Sequence, residues 1–268
     1  MPTVRVGDIE MYYLEAGAGE PLVLIMGFGG DHTAWAFQMG ALSAKYRVIV
    51  FDNRGVGRTD APDHPYTTAM MARDALGLMD SLGIDRAHVI GVSMGGMIAQ
   101  ELALERPERV RSLHLGCTLA RPDAYILALT AAWREMRIGL GREATLRTLG
   151  LWLFAPATYA ERPDLVETLL QNALANPYPQ SLTGFLRQGE AVVAHDARDR
   201  LPAIRCPTLV SVAADDILVP SRFSREIVAR IPGAELRVVP DAGHCYFLER
   251  ADAFNQLSLD FLARSSSR

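Results

Sequence analysis

Apolar residues recur along this chain in two rhythms. Short β-branched runs, such as Leu22-Val23-Leu24-Ile25, Ala87-His88-Val89-Ile90 and Thr208-Leu209-Val210-Ser211-Val212, read as buried strands. Between them lie stretches with helical spacing. Thr67 to Leu82 is an amphipathic pattern closed by Gly83, and Gly96 to Leu104 is another that ends near Arg106-Pro107. The opening residues Met1 to Asp8 lack an apolar signal-peptide core and read as a strand entering a hairpin. Strand and helix alternate up to about Leu119, which predicts a mostly parallel central sheet flanked by helices. From Arg121 to about Arg200 the alternation stops, and helical patterns broken at Pro156, Pro163, Pro177 and Pro179 take over. It resumes at Cys206-Pro207, runs through Glu235 to Val239, and ends in a last helical pattern. The expected organisation is an α/β core of residues 1–120 and 201–268 with a helical cap, residues 121–200, inserted after the sixth strand. The Ser265-Ser266-Ser267 tail is expected to fray.

Ser93 stands at the junction of one such strand and helix, in Gly91-Val92-Ser93-Met94-Gly95. A serine on a sharp strand-to-helix turn is held in strained backbone, and small residues two positions either side let the chain pass close by. The hydroxyl is then lifted clear of the backbone at the positive end of a helix. A bare G-x-S-x-G is common; the strand before and the helix after give this one its weight. Otherwise it would be a Gly-rich turn with a capping serine.

A serine hydroxyl needs a base at neutral pH, and the base needs an orienting group. The chain has six histidines. His88 and His114 alternate with apolar residues and read as packed strand side chains. His32 and His64 lie in polar loops and read as solvated; His195, in His195-Asp196-Ala197-Arg198-Asp199-Arg200, reads as exposed. His244 follows the strand-like run at 235–239 in Asp241-Ala242-Gly243-His244, so it sits on a loop at the carboxyl end of a strand and is the candidate base. An acid in Ala213-Ala214-Asp215-Asp216 would end a strand and face the same edge. Successive side chains there point opposite ways, so only one of Asp215 and Asp216 can reach the histidine.

With these pieces the chain resembles a small α/β-hydrolase over nearly its whole length. The resemblance rests on Leu22 to Gly30, Phe51-Asp52-Asn53-Arg54-Gly55-Val56-Gly57-Arg58-Thr59-Asp60, the Ser93 turn, Asp215-Asp216…Pro220 and Gly243-His244…Glu249. Its Gly-Val-Ser-Met-Gly-Gly-Met turn is most similar to the 3-oxoadipate enol-lactonase-like and carboxylesterase-like group. The resemblance implies the α/β-hydrolase fold, and selects Asp216 by its spacing to Pro220; Asp123, after the sixth strand, is an alternative used by some relatives. It also implies an oxyanion hole from the N–H groups of Met94 and Phe28, with Gly27, Gly29 and Gly30 shaping the second donor's loop. Met26-Gly27 stands where many relatives carry His-Gly, so the histidine that often braces this loop is absent.

Composition narrows the reading. The 268 residues suffice for one α/β domain with an insertion, and the net charge of −4 argues against nucleic acid and anionic membranes. No stretch is long and apolar enough to span a bilayer. Cys117, Cys206 and Cys245 suggest free thiols in a reducing compartment, hence a cytoplasmic protein; a packed side chain is expected for Cys245. No metal-ligand spacing or phosphate loop is visible, and no cofactor or metal is expected. Lys45, the one lysine, lies far in sequence from every candidate loop, which disfavours Schiff-base and lysine-assisted lyase chemistry. Trp133, Trp152, Phe154 and Phe185 are candidates to shape a pocket, and Arg134 or Arg137 to meet a substrate carboxylate. Asp52 and Arg54 read as a charged pair tying loops, and Glu249 as a cap of the last helix. The expected function is serine-dependent cleavage of a small ester or lactone through an acyl-enzyme. Alternatives are a cofactor-free perhydrolase or haloperoxidase-like activity and a non-catalytic ligand receptor. Oligomeric state is left open, a homodimer being compatible.

Overall fold

The computed structural model describes residues 2–266. Its centre is an eight-stranded sheet built from β1 (Thr3–Val6), β2 (Ile9–Ala16), β3 (Pro21–Ile25), β4 (Arg47–Phe51), β5 (Ala87–Val92), β6 (Val110–Gly116), β7 (Thr208–Ala213) and β8 (Glu235–Val239), in the order β1-β2-β4-β3-β5-β6-β7-β8. The β1–β2 and β2–β4 pairs are antiparallel, and the other neighbours are parallel. This is the mostly parallel sheet the sequence pattern anticipates, in the α/β-hydrolase fold that the resemblance implies. β5 and β7 are buried at every position, which explains their continuous apolar runs: in a parallel sheet covered on both faces no residue has a wet side.

Helices α1 (Ala36–Ser43), α2 (Thr68–Ser81) and α3 (Met94–Glu105) alternate with strands in the first half. The amphipathic pattern predicted over 67–82 is α2, capped by the Thr67 side chain accepting from the Met70 N–H. Five helices separate β6 from β7: α4 (Ala124–Gly139), α5 (Gly141–Leu153), α6 (Pro156–Glu161), α7 (Pro163–Ala175) and α8 (Leu182–Ala194). Pro156 and Pro163 each open a helix, where a missing N–H costs nothing. Then follow α9 (Ser221–Arg230), α10 (Tyr246–Glu249) and α11 (Ala251–Ser266). No helix among the described residues is long and apolar enough to cross a membrane.

Several expectations are corrected. Ser265 and Ser266 do not fray: both lie in α11, Ser265 is buried, and Ser266 Oγ donates to Glu20 at 2.5 Å; Ser267 lies outside the described residues. His195 is 2 % exposed, with its Nδ1 2.9 Å from Thr68 Oγ1. The charged stretch around it is anchored by fully buried Ala197 and Leu201, and Ala197 N–H bonds to Ala120 O, so the histidine is drawn inward. His32 is not a solvated loop residue either, because its Nδ1 lies 2.7 Å from Asp52 Oδ1. Asp52 and Arg54 do not pair with each other. Asp52 binds the His32 imidazole and the N–H groups of His32 and Arg58, whereas Arg54 forks onto Asp74 and reaches Asp8.

Candidate active site

The Ser93 turn is built by close approaches that only glycine permits. A Cβ on Gly91 would strike the Gly95 carbonyl, and one on Gly95 would strike the carbonyl of Ile25. Ser93 itself has φ 55°, a left-handed conformation that costs a non-glycine residue about 1–3 kcal/mol. The turn is held by Ser93 N–H donating to Gly116 O at 2.9 Å and by Thr118 Oγ1 donating to Ser93 O at 2.7 Å. The other non-glycine residues with positive φ among those described are Cys117 and Asp241, so all three lie in loops at the carboxyl edge of the sheet.

His244 and Asp216 meet on the same edge. His244 Nδ1 lies 2.9 Å from Asp216 Oδ2, and both side chains are buried. An ionised carboxylate only accepts, so Nδ1 is the donor in this bond and Nε2 is the ring nitrogen not engaged by Asp216. Asp216 is oriented in turn by its Oδ1, which accepts the N–H groups of Leu218 and Val219 at 3.0 and 2.8 Å. Asp215 is exposed, and among the described residues its one bond is a backbone one, from its N–H to Ala242 O. Asp123 caps α4 and pairs with Arg222, and has no bond to the imidazole among the described residues. Geometry therefore joins Asp216, not its two rivals, to His244. Ser93 is half-buried, and its Oγ forms no hydrogen bond to the imidazole among the described residues.

The Gly27–Gly30 loop runs directly beside the serine: a Cβ on Gly27 would lie 2.9 Å from Ser93 Cβ and 3.5 Å from its Oγ. Met94 is the first residue of α3, so its N–H has no partner inside the helix. Phe28 N–H likewise has no partner among the described residues. Both groups remain available to a ligand oxygen.

One apolar cluster links this edge to the inserted helices. It contains Met97 of α3, Leu218 and Val219 beside Asp216, and Trp133 and Phe185 of the insertion, with Phe28 and Trp152 packed on it. Phe28 lies 4.8 Å from Phe185 and 6.4 Å from Trp133, centroid to centroid; Trp152 meets Trp133 edge-on at 5.9 Å. Phe154 is not part of this group. It packs in a separate cluster with Ala242, Cys245 and Tyr159, under the His244 loop. Arg134 is exposed, whereas Arg137 is half-buried with its guanidinium 5.7 Å from the Phe185 ring; burial lowers its pKa.

Glu249 is corrected from the role expected of it. Its fully buried carboxylate does not cap the last helix. It accepts from Gly243 N–H at 2.7 Å, Ala155 N–H at 2.8 Å and Thr158 Oγ1 at 2.5 Å, tying the His244 loop to the α5–α6 junction. Gly243 lets the two backbones touch, since a Cβ there would meet Ala155 N at 2.6 Å. The remaining ligand-type group is Asp31, His32 and Asp52, within 4.8 Å of one another. Each is already engaged: Asp31 with Thr33 and Asn176, His32 with Asp52. Burial opposes charge on His32, yet its bond to Asp52 and the nearby carboxylates raise its pKa. Cys117, Cys206 and Cys245 are free, and burial pushes each thiol pKa up.

A strained serine after β5 and a carboxylate-bound histidine after β8, on this sheet, define the class. The α/β-hydrolase-fold family model matches residues 20–251, and the chain belongs to that family of hydrolases. It is 37% identical over 261 residues to the provisionally assigned carbamate hydrolase RutD of Azorhizobium caulinodans, covering 97% of this chain and 98% of that one. It is 36% identical to the provisionally assigned non-heme bromoperoxidase BpoC of Mycobacterium tuberculosis, covering 95% of this chain and 98% of that one. Among solved structures, the enol-lactonase from Burkholderia xenovorans LB400 is similar with a TM-score of 0.90 at 30% identity, over 98% of this chain and 100% of that one.

Proposed function

We propose that this protein is a serine hydrolase of small carboxylic esters or lactones, with Ser93, His244 and Asp216 as its catalytic residues and the inserted helices as a cap over them. The observation that carries the reading is the buried 2.9 Å bond from His244 to Asp216, which leaves Nε2 as a base on the edge where Ser93 is strained outward. His244 Nε2 takes the Ser93 proton as Oγ attacks the carbonyl. The N–H groups of Phe28 and Met94 hold the oxyanion. His244 then protonates the leaving oxygen, and water activated by the same imidazole releases the acid. Contacts between nucleophile and base commonly tighten only when substrate is bound.

Relatives named for carbamate and enol-lactone chemistry support attack on an acyl carbonyl. The ring cluster of Phe28, Trp133 and Phe185 supports an apolar acyl pocket, and half-buried Arg137 supports a substrate carrying a carboxylate. The test is a panel of p-nitrophenyl acetate and butyrate, neutral and anionic lactones and a small carbamate, run beside Ser93→Ala. A p-nitrophenol burst in the native protein and none in the variant is the expected result. Equal rates in the two would end the reading. Arg137→Ala should slow anionic lactones about 10-fold and leave neutral ones unchanged, whereas Arg134→Ala should change neither. The similarity to BpoC favours one second reading, in which peroxide replaces water at the acyl-enzyme. Peracid formation measured against hydrolysis separates the two.

A further inference from the structure

The peptides of the loop that carries Phe28 are held from both sides. Asn53 Nδ2 donates to Met26 O at 2.8 Å, ahead of the donor, and Gly30 N–H closes onto Gly27 O at 3.3 Å. The next peptide is held from the insertion: Gly29 N–H donates to Gln188 Oε1 at 2.9 Å, across 159 residues of sequence. We propose that Gln188, on α8, is a positioning residue for the oxyanion hole, so that the inserted helices set how well the site stabilises an oxyanion and not only how well it is enclosed. The inference rests on the acyl-transfer reading above.

Gln188 is fully buried and its amide has one possible orientation. Oε1 accepts from both Gly29 N–H and Gln180 Nε2, the latter at 3.0 Å, and Nε2 donates to Arg54 O at 2.8 Å. A flipped amide would face donors with a donor and a carbonyl with a carbonyl. The helix is seated by a backbone contact between Gly184 and Gly55, where a Cβ on Gly184 would strike Gly55 O and one on Gly55 would press on Gly184 Cα at 3.1 Å. Gly184 and Gln188 are four residues apart, hence on one helix face, and Gln180 Nε2 also donates to Gly55 O at 3.2 Å. From the same helix Phe185 packs on the Phe28 ring at 4.8 Å. Phe28 is therefore held by its ring and by the peptide that follows it. With the peptides 26–27 and 28–29 held, the 27–28 peptide, which carries the Phe28 N–H, has less freedom to reorient. Preorganised donors of this kind stabilise a developing oxyanion because nothing must reorient during the reaction.

The test uses Gln188→Met, of similar length and without either polar group, and Gln180→Met, which removes one of the Oε1 bonds from a half-buried position. Active sites are titrated with a fluorophosphonate, and kcat and KM for p-nitrophenyl butyrate are taken per titrated site. A trifluoromethyl ketone, which forms a tetrahedral adduct with serine, supplies an inhibition constant. Gln188→Met is expected to lower kcat about 10- to 100-fold with KM within about 3-fold, and to weaken the ketone in proportion to kcat/KM; Gln180→Met should do the same about 2- to 5-fold. A purely structural role would lower the melting temperature and the titratable fraction but leave kcat per site and the ketone constant unchanged. That outcome in either folded variant overturns the proposal. Native protein without Ser93-dependent turnover would instead remove the acyl-transfer reading itself.

Discussion

The turn that carries Ser93 and the two loops that serve it are held by different parts of the chain. The turn is fixed within the sheet, by Gly91 against Gly95, Gly95 against Ile25, and bonds from Gly116 and Thr118, all on neighbouring strands or their ends. The Gly27–Gly30 and Asp241–Cys245 loops are fixed from the insertion. Gln188 and Phe185 hold the first; Glu249, through Ala155 and Thr158, and Cys245 N–H donating to Leu153 O at 2.8 Å, hold the second. The Ser93 turn is thus held by the core, whereas the loops carrying His244 and Phe28 are held in part by the helices between β6 and β7. A disturbance of those helices should leave a reactive-looking serine with poorly aimed partners.

This contrast can be broken at several points. The largest effect is expected at the nucleophile: Ser93→Ala should lower kcat about 10⁴- to 10⁶-fold. Ser93→Gly should be equally inactive and about 1 kcal/mol more stable than Ser93→Ala by urea unfolding, because glycine tolerates φ 55°. Asp216→Asn should lower kcat about 10³- to 10⁴-fold by spoiling the imidazole tautomer, with Asp215→Asn within about 2-fold of native. A reversed order would move the acid to the exposed neighbour. Glu249→Ala should cost about 2–5 kcal/mol in unfolding free energy, since it leaves the Gly243 and Ala155 N–H groups buried without a partner. It should also lower kcat per surviving site, while fluorophosphonate labelling of Ser93 falls less. If labelling and turnover fall together, the two regions are not separable.

The smallest effect is a pH dependence of stability with one group in each region. Burial pushes His114, in β6, down to about 3 and His195, at the end of α8, down to about 4. Both are neutral in the folded protein and take a proton near 6.5 when unfolded. The unfolded chain therefore binds more protons as pH falls below about 6.5. Stability is full above that value and declines toward acid, at most by about 1.4 kcal/mol per pH unit for each group. Urea midpoints at pH 7 and 5.5 should differ accordingly, and His195→Gln should flatten the dependence. An unchanged slope would mean that His195 opens to solvent with the insertion.

Much of the core was legible because its signals are local. Buried parallel strands are continuously apolar, Thr67 caps the helix it precedes, and a serine between a strand and a helix with glycines two positions away admits few backbone paths. His244 was legible for the same reason, by its place after β8. The aspartate pair was not resolved by side-chain alternation; burial of Asp216 and exposure of Asp215 decide it. Gln188, Gln180, Asn53 and Thr118 left no signal, because an amide or hydroxyl in a helix or loop looks the same whether or not a distant backbone group meets it. His195 misled because its neighbours are charged while Ala197 and Leu201 anchor the segment.

The order of residues alone determined the alternation, the strained turn, the family and the pair of loops from which acid and base would come, since each depends on spacing within a few residues. That Asp216 bonds the imidazole shows only with β7 and β8 paired, and which rings gather over Phe28 and what holds the peptide after it were decided only when the five helices between β6 and β7 packed on the sheet. Those choices turn on hydrogen bonds and contacts between residues far apart in the chain, and such partners exist only once the backbone has closed around them.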